Sequence, residues 1–143
     1  MLIKRMARYL LDHPRLVQVY EWQEGIHGIY THTDSDWAGN KVPRKSTSGG
    51  MSLTGSHCVK SWSSNQSVIA LSSAEAELYA LLKGAAQSLG LQSMAYDFWD
   101  VLNAGLWSDA SAAIAIAQRS GLGKLRHIQT RYLWLQERVS KKS

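Results

Sequence analysis

The run Ile29-Tyr30-Thr31-His32-Thr33-Asp34 reads as a short strand that ends on a carboxylate. Alternation along a strand from Ile26 to Asp34 places Tyr30, His32 and Asp34 on one face. Two more acids stand at comparable places. Glu77 lies in an amphipathic helical pattern that begins near Ser73. Asp109 closes a second apolar run, Leu106-Trp107-Ser108-Asp109, and a helical pattern starts right after it. Carboxylates at two strand ends and on one helix can converge on a divalent cation. Hard oxygen ligands suit Mg²⁺ or Mn²⁺, and such sites support phosphoryl-transfer chemistry.

Working outward, two further strand patterns follow the first. Ser48 to Thr54 is broken by glycine, with Met51 and Leu53 alternating; Cys58 to Ser63 puts Cys58, Lys60 and Trp62 on one side. Turn signals at Gly39-Asn40 and Gly55-Ser56 separate the three, which fits an antiparallel meander. Ser73 is placed to cap the helix that follows, and Glu75 and Glu77 suit its positive end. Leu71, Ala74, Leu78, Leu81, Ala85 and Leu89 form its expected buried stripe. Gly90 is expected to end or kink it, with a second helical stretch from Leu91 to Leu102. After Asn103-Ala104-Gly105 comes the short strand ending at Asp109, then helices over Ala110–Arg119 and about Ile128–Val139. Strands first, then helices alternating with a strand, predict a mixed α/β domain.

The first two dozen residues differ from the rest. Leu2 to Leu11 has helical spacing and stops at Asp12-His13-Pro14, because the residue before a proline is pushed out of the helical region. Leu16 to Trp22 reads as a strand and Gln23-Glu24-Gly25 as a turn. This stretch has the look of the end of a preceding unit.

Each acid also has a plainer reading. A strand-end Asp is commonly a turn former, and Asp109 before Ala110 fits a helix cap. Helical spacing does not choose between Glu75 and Glu77, which flank the apolar stripe on opposite sides. Asp36 shares the face of Asp34 if the strand continues. His32 sits on that same face, where it could tune Asp34 or take a proton, although a structural role is commoner for such a histidine. The six tryptophans suit base stacking or, for most of them, a place in the core.

Composition narrows the class. The 143 residues suffice for one domain with a real core. No apolar run is long enough to span a bilayer, and the start lacks a secretory pattern. Cys58 is the lone cysteine, which excludes an internal disulfide or a cysteine-rich zinc site and predicts a buried strand position. No phosphate-cradling glycine loop and no nucleophile elbow are present. The net charge is +5. From Arg119 onward, Arg119, Lys124, Arg126, Arg131, Arg138, Lys141 and Lys142 are opposed only by Glu137. A basic tail of this kind attracts a polyanion or forms a solvated helix face.

Four motifs in one order carry a more specific message. They are Thr33-Asp34-Ser35-Asp36-Trp37-Ala38-Gly39, Arg44-Lys45-Ser46-Thr47-Ser48-Gly49, Trp62-Ser63-Ser64-Asn65-Gln66 and Ala70-Leu71-Ser72-Ser73-Ala74-Glu75-Ala76-Glu77-Leu78-Tyr79-Ala80-Leu81. The combination closely resembles the ribonuclease H domain of copia-type retrotransposon Pol polyproteins, over roughly Gly28 to Val139. Leu2 to Tyr20, with Arg5-Met6-Ala7-Arg8-Tyr9-Leu10, resembles the end of the reverse transcriptase that precedes it. The resemblance implies a division into residues 1–25, the reverse transcriptase tail, and 26–143, a ribonuclease H-like domain. The implied fold is a mixed sheet, a three-strand antiparallel meander plus a parallel strand, with flanking helices. The implied activity is hydrolysis of the RNA strand of RNA–DNA hybrids during reverse transcription.

The implied cofactor is a pair of Mg²⁺ ions, about 4 Å apart, with Mn²⁺ as a substitute. Carried over by motif, Asp34, Glu77 and Asp109 are the catalytic metal ligands, Asp34 bridging the ions. The motif match selects the second Glu of the pair. Ser73 becomes a candidate minor-groove contact, and Arg44, Lys45 and Arg126 become candidate phosphate contacts. The implied partners are the hybrid and the reverse transcriptase of the same polyprotein, with no membrane; the implied location is a cytoplasmic virus-like particle or the nucleus.

Three departures from the family pattern stand out. Asp109-Ala110-Ser111-Ala112-Ala113 replaces Asp-Asn-Gln-Ser-Ala, so two long polar side chains are lost. His127-Ile128-Gln129 replaces His-Ile-Asp. No segment matches the family's last strand and helix, whose Ala-Asp pair is expected to supply a fourth carboxylate. The expectation is therefore a three-acid site of lowered activity, or a fragment without catalysis that binds nucleic acid or packs on a polymerase.

Overall fold

The computed structural model describes residues 2–15, 17–40, 42–121 and 133–141. The described elements are α1 (Leu2–Asp12), β1 (Gly28–Asp36), β2 (Thr47–Thr54), β3 (His57–Asn65), α2 (Ser73–Asp97), β4 (Asn103–Trp107), α3 (Ser111–Gln118) and α4 (Trp134–Ser140). The sheet order is β3-β2-β1-β4. β1 pairs antiparallel with β2, β2 antiparallel with β3, and β1 parallel with β4. The chain is thus α/β, with an antiparallel meander, one parallel strand reached by a helical crossover, and flanking helices.

Alternation along β1 assigns its two faces. Ile29, Thr31 and Thr33 are buried, whereas Tyr30, His32 and Asp34 are exposed. The buried face meets α2, where Ala76 and Ala80 are fully buried among Leu78, Leu81 and Leu82. Thr31 Oγ1 and Ser52 Oγ hydrogen-bond at 2.8 Å inside this layer, so these two buried hydroxyls partner each other. A second cluster joins Leu78, Leu81, Leu82 and Ala85 of α2 to Ala117 of α3 and Leu135 of α4. Each fully buried Leu contributes roughly 1.5–3 kcal/mol from removal of apolar surface from water.

The helix–sheet contact is close because its residues are small. A Cβ on Gly84 would lie 2.2 Å from Thr33 Cγ2 and 3.2 Å from Leu106 Cδ1. Gly84 therefore sits where α2 lies in close contact with β1 and β4. Gly90 is different. Nothing lies within 4 Å of its would-be Cβ, it is exposed, and α2 runs through it unbroken to Asp97. The expected break at Gly90 and the separate helix over Leu91–Leu102 are therefore corrected to one 25-residue helix. An isolated glycine costs only about 1 kcal/mol in a helix, which packing along the preceding turns outweighs.

Other expectations shift as well. Residues 17–22 form no ladder. The segment is instead fastened to the β2–β3 hairpin by side chains: Gln18 Nε2 and Tyr20 Oη donate to Cys58 O, and Gln23 spans Thr54 O and Ser56 N. Val17, Val19 and Trp22 stay exposed, so there is no apolar gain to hold a strand there. Asn103–Gly105 belongs to β4 rather than to the connection before it. Cys58 is half-buried. Trp22, Trp37, Trp99 and Trp107 are each more than half exposed, against the expectation that most tryptophans are core. Among the described residues no helix is long and apolar enough to cross a membrane.

Two substitutions in α2 test this packing. Gly84→Ala is expected to lower stability by about 1–3 kcal/mol, because the added methyl meets packed side chains. Gly90→Ala is expected to raise it by about 0.5–1 kcal/mol. Urea unfolding midpoints of the two variants beside the parent decide the matter; equal shifts in both would contradict the account.

Candidate metal centre

β1 ends at the level where α2 begins, and the two are joined by one side chain. Ser35 follows Asp34 and so points to the opposite face, toward the helix. Its hydroxyl donates to Glu77 Oε1 at 2.7 Å and its backbone N–H donates to the same oxygen at 3.2 Å. Glu77 is thereby held at the end of β1. β4 lies parallel to β1 on its other side, with His32 level with Trp107, and the chain leaves β4 through Ser108 to Asp109. Thr33 Oγ1 donates to Trp107 O, which ties the two strand ends together. As a result one carboxylate oxygen from each of Asp34, Glu77 and Asp109 lies within 4.8 Å of the others.

The two glutamates that helical spacing could not separate have different work. Glu75 is 1% exposed. Its backbone N–H donates to Ser72 Oγ, and its own carboxylate accepts from Leu71 N at 2.8 Å and Tyr79 Oη at 2.8 Å. Ser72 is thus the N-cap rather than Ser73, and Glu75 reaches back one residue further, to Leu71 N, in a variant of the capping box. Ser73 is the first residue of α2 and is exposed. Glu77, two residues on, faces the acid cluster instead. The N-cap of α3 is Ala110, which has no side-chain cap bond. Asp109 therefore does not serve as the cap that its position suggested; Ser108 Oγ accepts from Ala110 N instead.

Three carboxylates at this separation repel one another unless a cation or protons sit among them. Burial raises the pKa of Glu77 above its ordinary 4.5, the Ser35 hydroxyl opposes that shift, and the charges of Asp34 and Asp109 add to it. The second oxygen, Glu77 Oε2, is buried and has no hydrogen-bond partner among the described residues. An orphaned carboxylate oxygen beside two exposed carboxylates fits a hard divalent cation, which takes oxygen ligands and offsets their repulsion. The donor set holds no nitrogen or sulfur, which suits Mg²⁺ or Mn²⁺ better than Zn²⁺.

The remaining candidates are spread wider. Arg44 and Lys45 lie on the β1–β2 connection, Arg44 exposed and with a positive φ of 54°. Arg126 lies outside the described residues, as do Lys124, His127 and Arg131. His32 is stacked against Trp107, with ring centroids 6.2 Å apart. Ser35 is the residue that the sequence reading passed over. The signal was present in the alternation, since a polar residue between Asp34 and Asp36 must face the helix that carries Glu77.

No family model matches the chain. Among curated proteins, the secreted RxLR effector protein 161 of Plasmopara viticola is 34% identical over 92 residues, which cover 62% of this chain and 62% of the effector. The chain thus spans less than two thirds of the length of this relative.

The Glu77 environment sets a pH dependence. A carboxyl whose folded pKa is raised holds its proton more tightly in the folded state. Its contribution to stability is full below the ordinary value of 4.5 and is lost as pH rises through the raised value. Glu77→Gln stays neutral throughout. In chelator, the variant is expected to be more stable than the parent at pH 7, with the gap closing toward pH 4. Adding Mg²⁺ or Mn²⁺ at ten times its dissociation constant should stabilise the parent by roughly 1.4 kcal/mol and the variant by less. Thermal melts at the two pH values measure both effects; a variant less stable than the parent at pH 7 in chelator overturns the reading.

Proposed function

We propose that this chain is a copia-type ribonuclease H domain, a metal-dependent endonuclease that hydrolyses the RNA strand of RNA–DNA hybrids. The observation that carries the reading is the meeting of Asp34, Glu77 and Asp109, drawn from a strand, a helix and a post-strand loop, within 4.8 Å. These are the three acids that the sequence resemblance singles out. The mixed sheet, with a parallel strand after an antiparallel meander, is compatible with the ribonuclease H-like fold.

In this reading Asp34, Glu77 and Asp109 would hold Mg²⁺, with Mn²⁺ as a substitute. Bound there, the ions would activate water and stabilise charge on the phosphate being cleaved. Ser35 acts by position. It occupies Oε1 of Glu77 and leaves Oε2 for the ion. Arg44, Lys45 and Arg126 serve the phosphates, and Ser73 at the start of α2 serves the minor groove, where the RNA 2′-OH distinguishes hybrid from DNA.

The proposed protein partner is the reverse transcriptase of the same polyprotein. The apolar side of α1 supports this: Ile3 and Leu11 are 82% and 79% exposed, with Met6, Tyr9 and Leu10 also largely uncovered. A helix of this kind is stable in water mainly when its apolar face is packed.

Activity is tested on a labelled RNA–DNA hybrid, with and without Mg²⁺ or Mn²⁺. Cleavage of the RNA strand alone is expected, abolished by chelator and reduced at least about a hundredfold in Asp34→Asn and Glu77→Gln, since an essential electrostatic group is worth two or more decades in rate. Ser35→Ala should retain cleavage but need more metal. If the parent cleaves no faster than the two variants, the catalytic reading fails; hybrid binding without cleavage would leave a nucleic-acid-binding fragment.

A further inference from the structure

The sheet has two faces, and α2 covers one of them. Thr31, Thr33 and Leu106 face α2, as the atoms around Gly84 show. Tyr30, His32 and Trp107 therefore stand on the opposite face. No described element covers them: Trp107 is 58% exposed, Tyr30 is 44% exposed and His32 is exposed.

Their arrangement is specific. His32 and Trp107 are register partners on the parallel strands β1 and β4. Their rings are stacked, 6.2 Å between centroids and 18° between planes. Tyr30 is the register partner of Gly105, and a Cβ there would lie 2.8 Å from Tyr30 Cδ1. The glycine lets the tyrosine ring lie against β4. Three aromatic rings thus occupy adjacent strands of a four-stranded sheet.

The rings also lead to the acids. Asp34 lies two residues beyond His32, and Asp109 two residues beyond Trp107. Two strand residues span about 7 Å, or roughly two base steps at 3.4 Å each. Beside Asp34 the surface is bare: its partner on β2 is Gly49, whose would-be Cβ has only Trp62 O, at 3.9 Å, within 4 Å. A flat apolar ring next to a phosphate-cleaving site, on a chain of net charge +5, matches a nucleobase joined to a polyanion. Bases inside a duplex already have both faces stacked, so only an unpaired base has a face to offer.

We propose that the His32–Trp107 pair, flanked by Tyr30, is a stacking platform for an unpaired nucleobase adjoining the acid site. This rests on the function proposed above and narrows its substrate to a hybrid carrying a single-stranded extension next to the cleaved strand. Met51, the register partner of His32, is 45% exposed and adds apolar floor beside the platform.

The test compares two fluorescently labelled RNA–DNA hybrids, one blunt and one with an unpaired extension, by anisotropy with calcium in place of magnesium. The parent should bind the extended hybrid at least about fivefold more tightly, the lower end of what stacking one base provides. Trp107→Ala should lose that preference and keep the affinity for the blunt hybrid, while Trp107→Phe should keep most of it. His32→Ala, on the neighbouring strand, should weaken it. Circular dichroism confirms folding of each exposed-site variant. Equal binding of both hybrids by the parent, or a preference that survives Trp107→Ala, overturns the proposal. So does a change in sedimentation with Trp107→Ala and no change in preference, which would mark the face as a contact between copies. Cleavage without an extension preference sinks the platform alone; a Trp107-dependent preference without cleavage sinks the catalytic reading alone.

Discussion

The close approach of α2 to β1 is the constraint on which the rest of the structure depends. It is set by small side chains. Gly84 leaves room for Thr33, and Ala76 and Ala80 are fully buried against a sheet face built from Thr31, Thr33, Ser48 and Ser52. Larger residues at these positions would push the helix away from the strands, because interiors are packed too tightly to absorb extra volume. At this separation the first turns of α2 lie level with the end of β1. Ser35 can then reach Glu77, and Glu77 can share a site with Asp34.

The arrangement separates stability from chemistry over two residues of one helix. Glu75 turns inward, completes the N-terminal cap and is partnered by Leu71 N and Tyr79 Oη. Glu77 turns toward two other carboxylates and keeps a buried oxygen that no described residue partners. The first arrangement stabilises the helix. The second costs stability unless a cation enters, since desolvation and like charges both disfavour the ionised form. Groups that are costly to the fold and clustered at the meeting of three elements are a common mark of functional sites.

The strands of the meander and the parallel strand were legible in the sequence because their alternation is strong and their turns are marked, as at Gly55, which adopts a positive φ of 58°. The long helix was less legible. Its middle is buried on most sides, from Glu75 to Ser88, so the apolar pattern widens beyond a single stripe and Gly90 looked like a stop. The segment before β1 reads as a strand by composition, yet its contacts are side-chain bonds from Gln18, Tyr20 and Gln23 to backbone atoms of the hairpin, a pattern without periodicity. For the site, spacing alone suggested the three acids but could not rank Glu77 over Glu75 or free Asp109 from a capping role. Those choices depend on which face each residue turns and on Ala110 being the cap of α3, both tertiary facts. The tryptophans misled for a related reason. Composition predicts burial for large apolar rings, whereas Trp107 sits on a sheet face that no described element covers.

The central claim is that Asp34, Glu77 and Asp109 form one cation site, and anomalous diffraction from crystals grown with Mn²⁺ tests it most directly. The account predicts a strong anomalous peak among the three side chains, at about 2.0–2.2 Å from a carboxylate oxygen of each, as hard oxygen coordination requires. Glu77 Oε2 should be among those ligands, with Oε1 still held by Ser35. A map with no peak there, or carboxylates that turn apart in the presence of the ion, would contradict it.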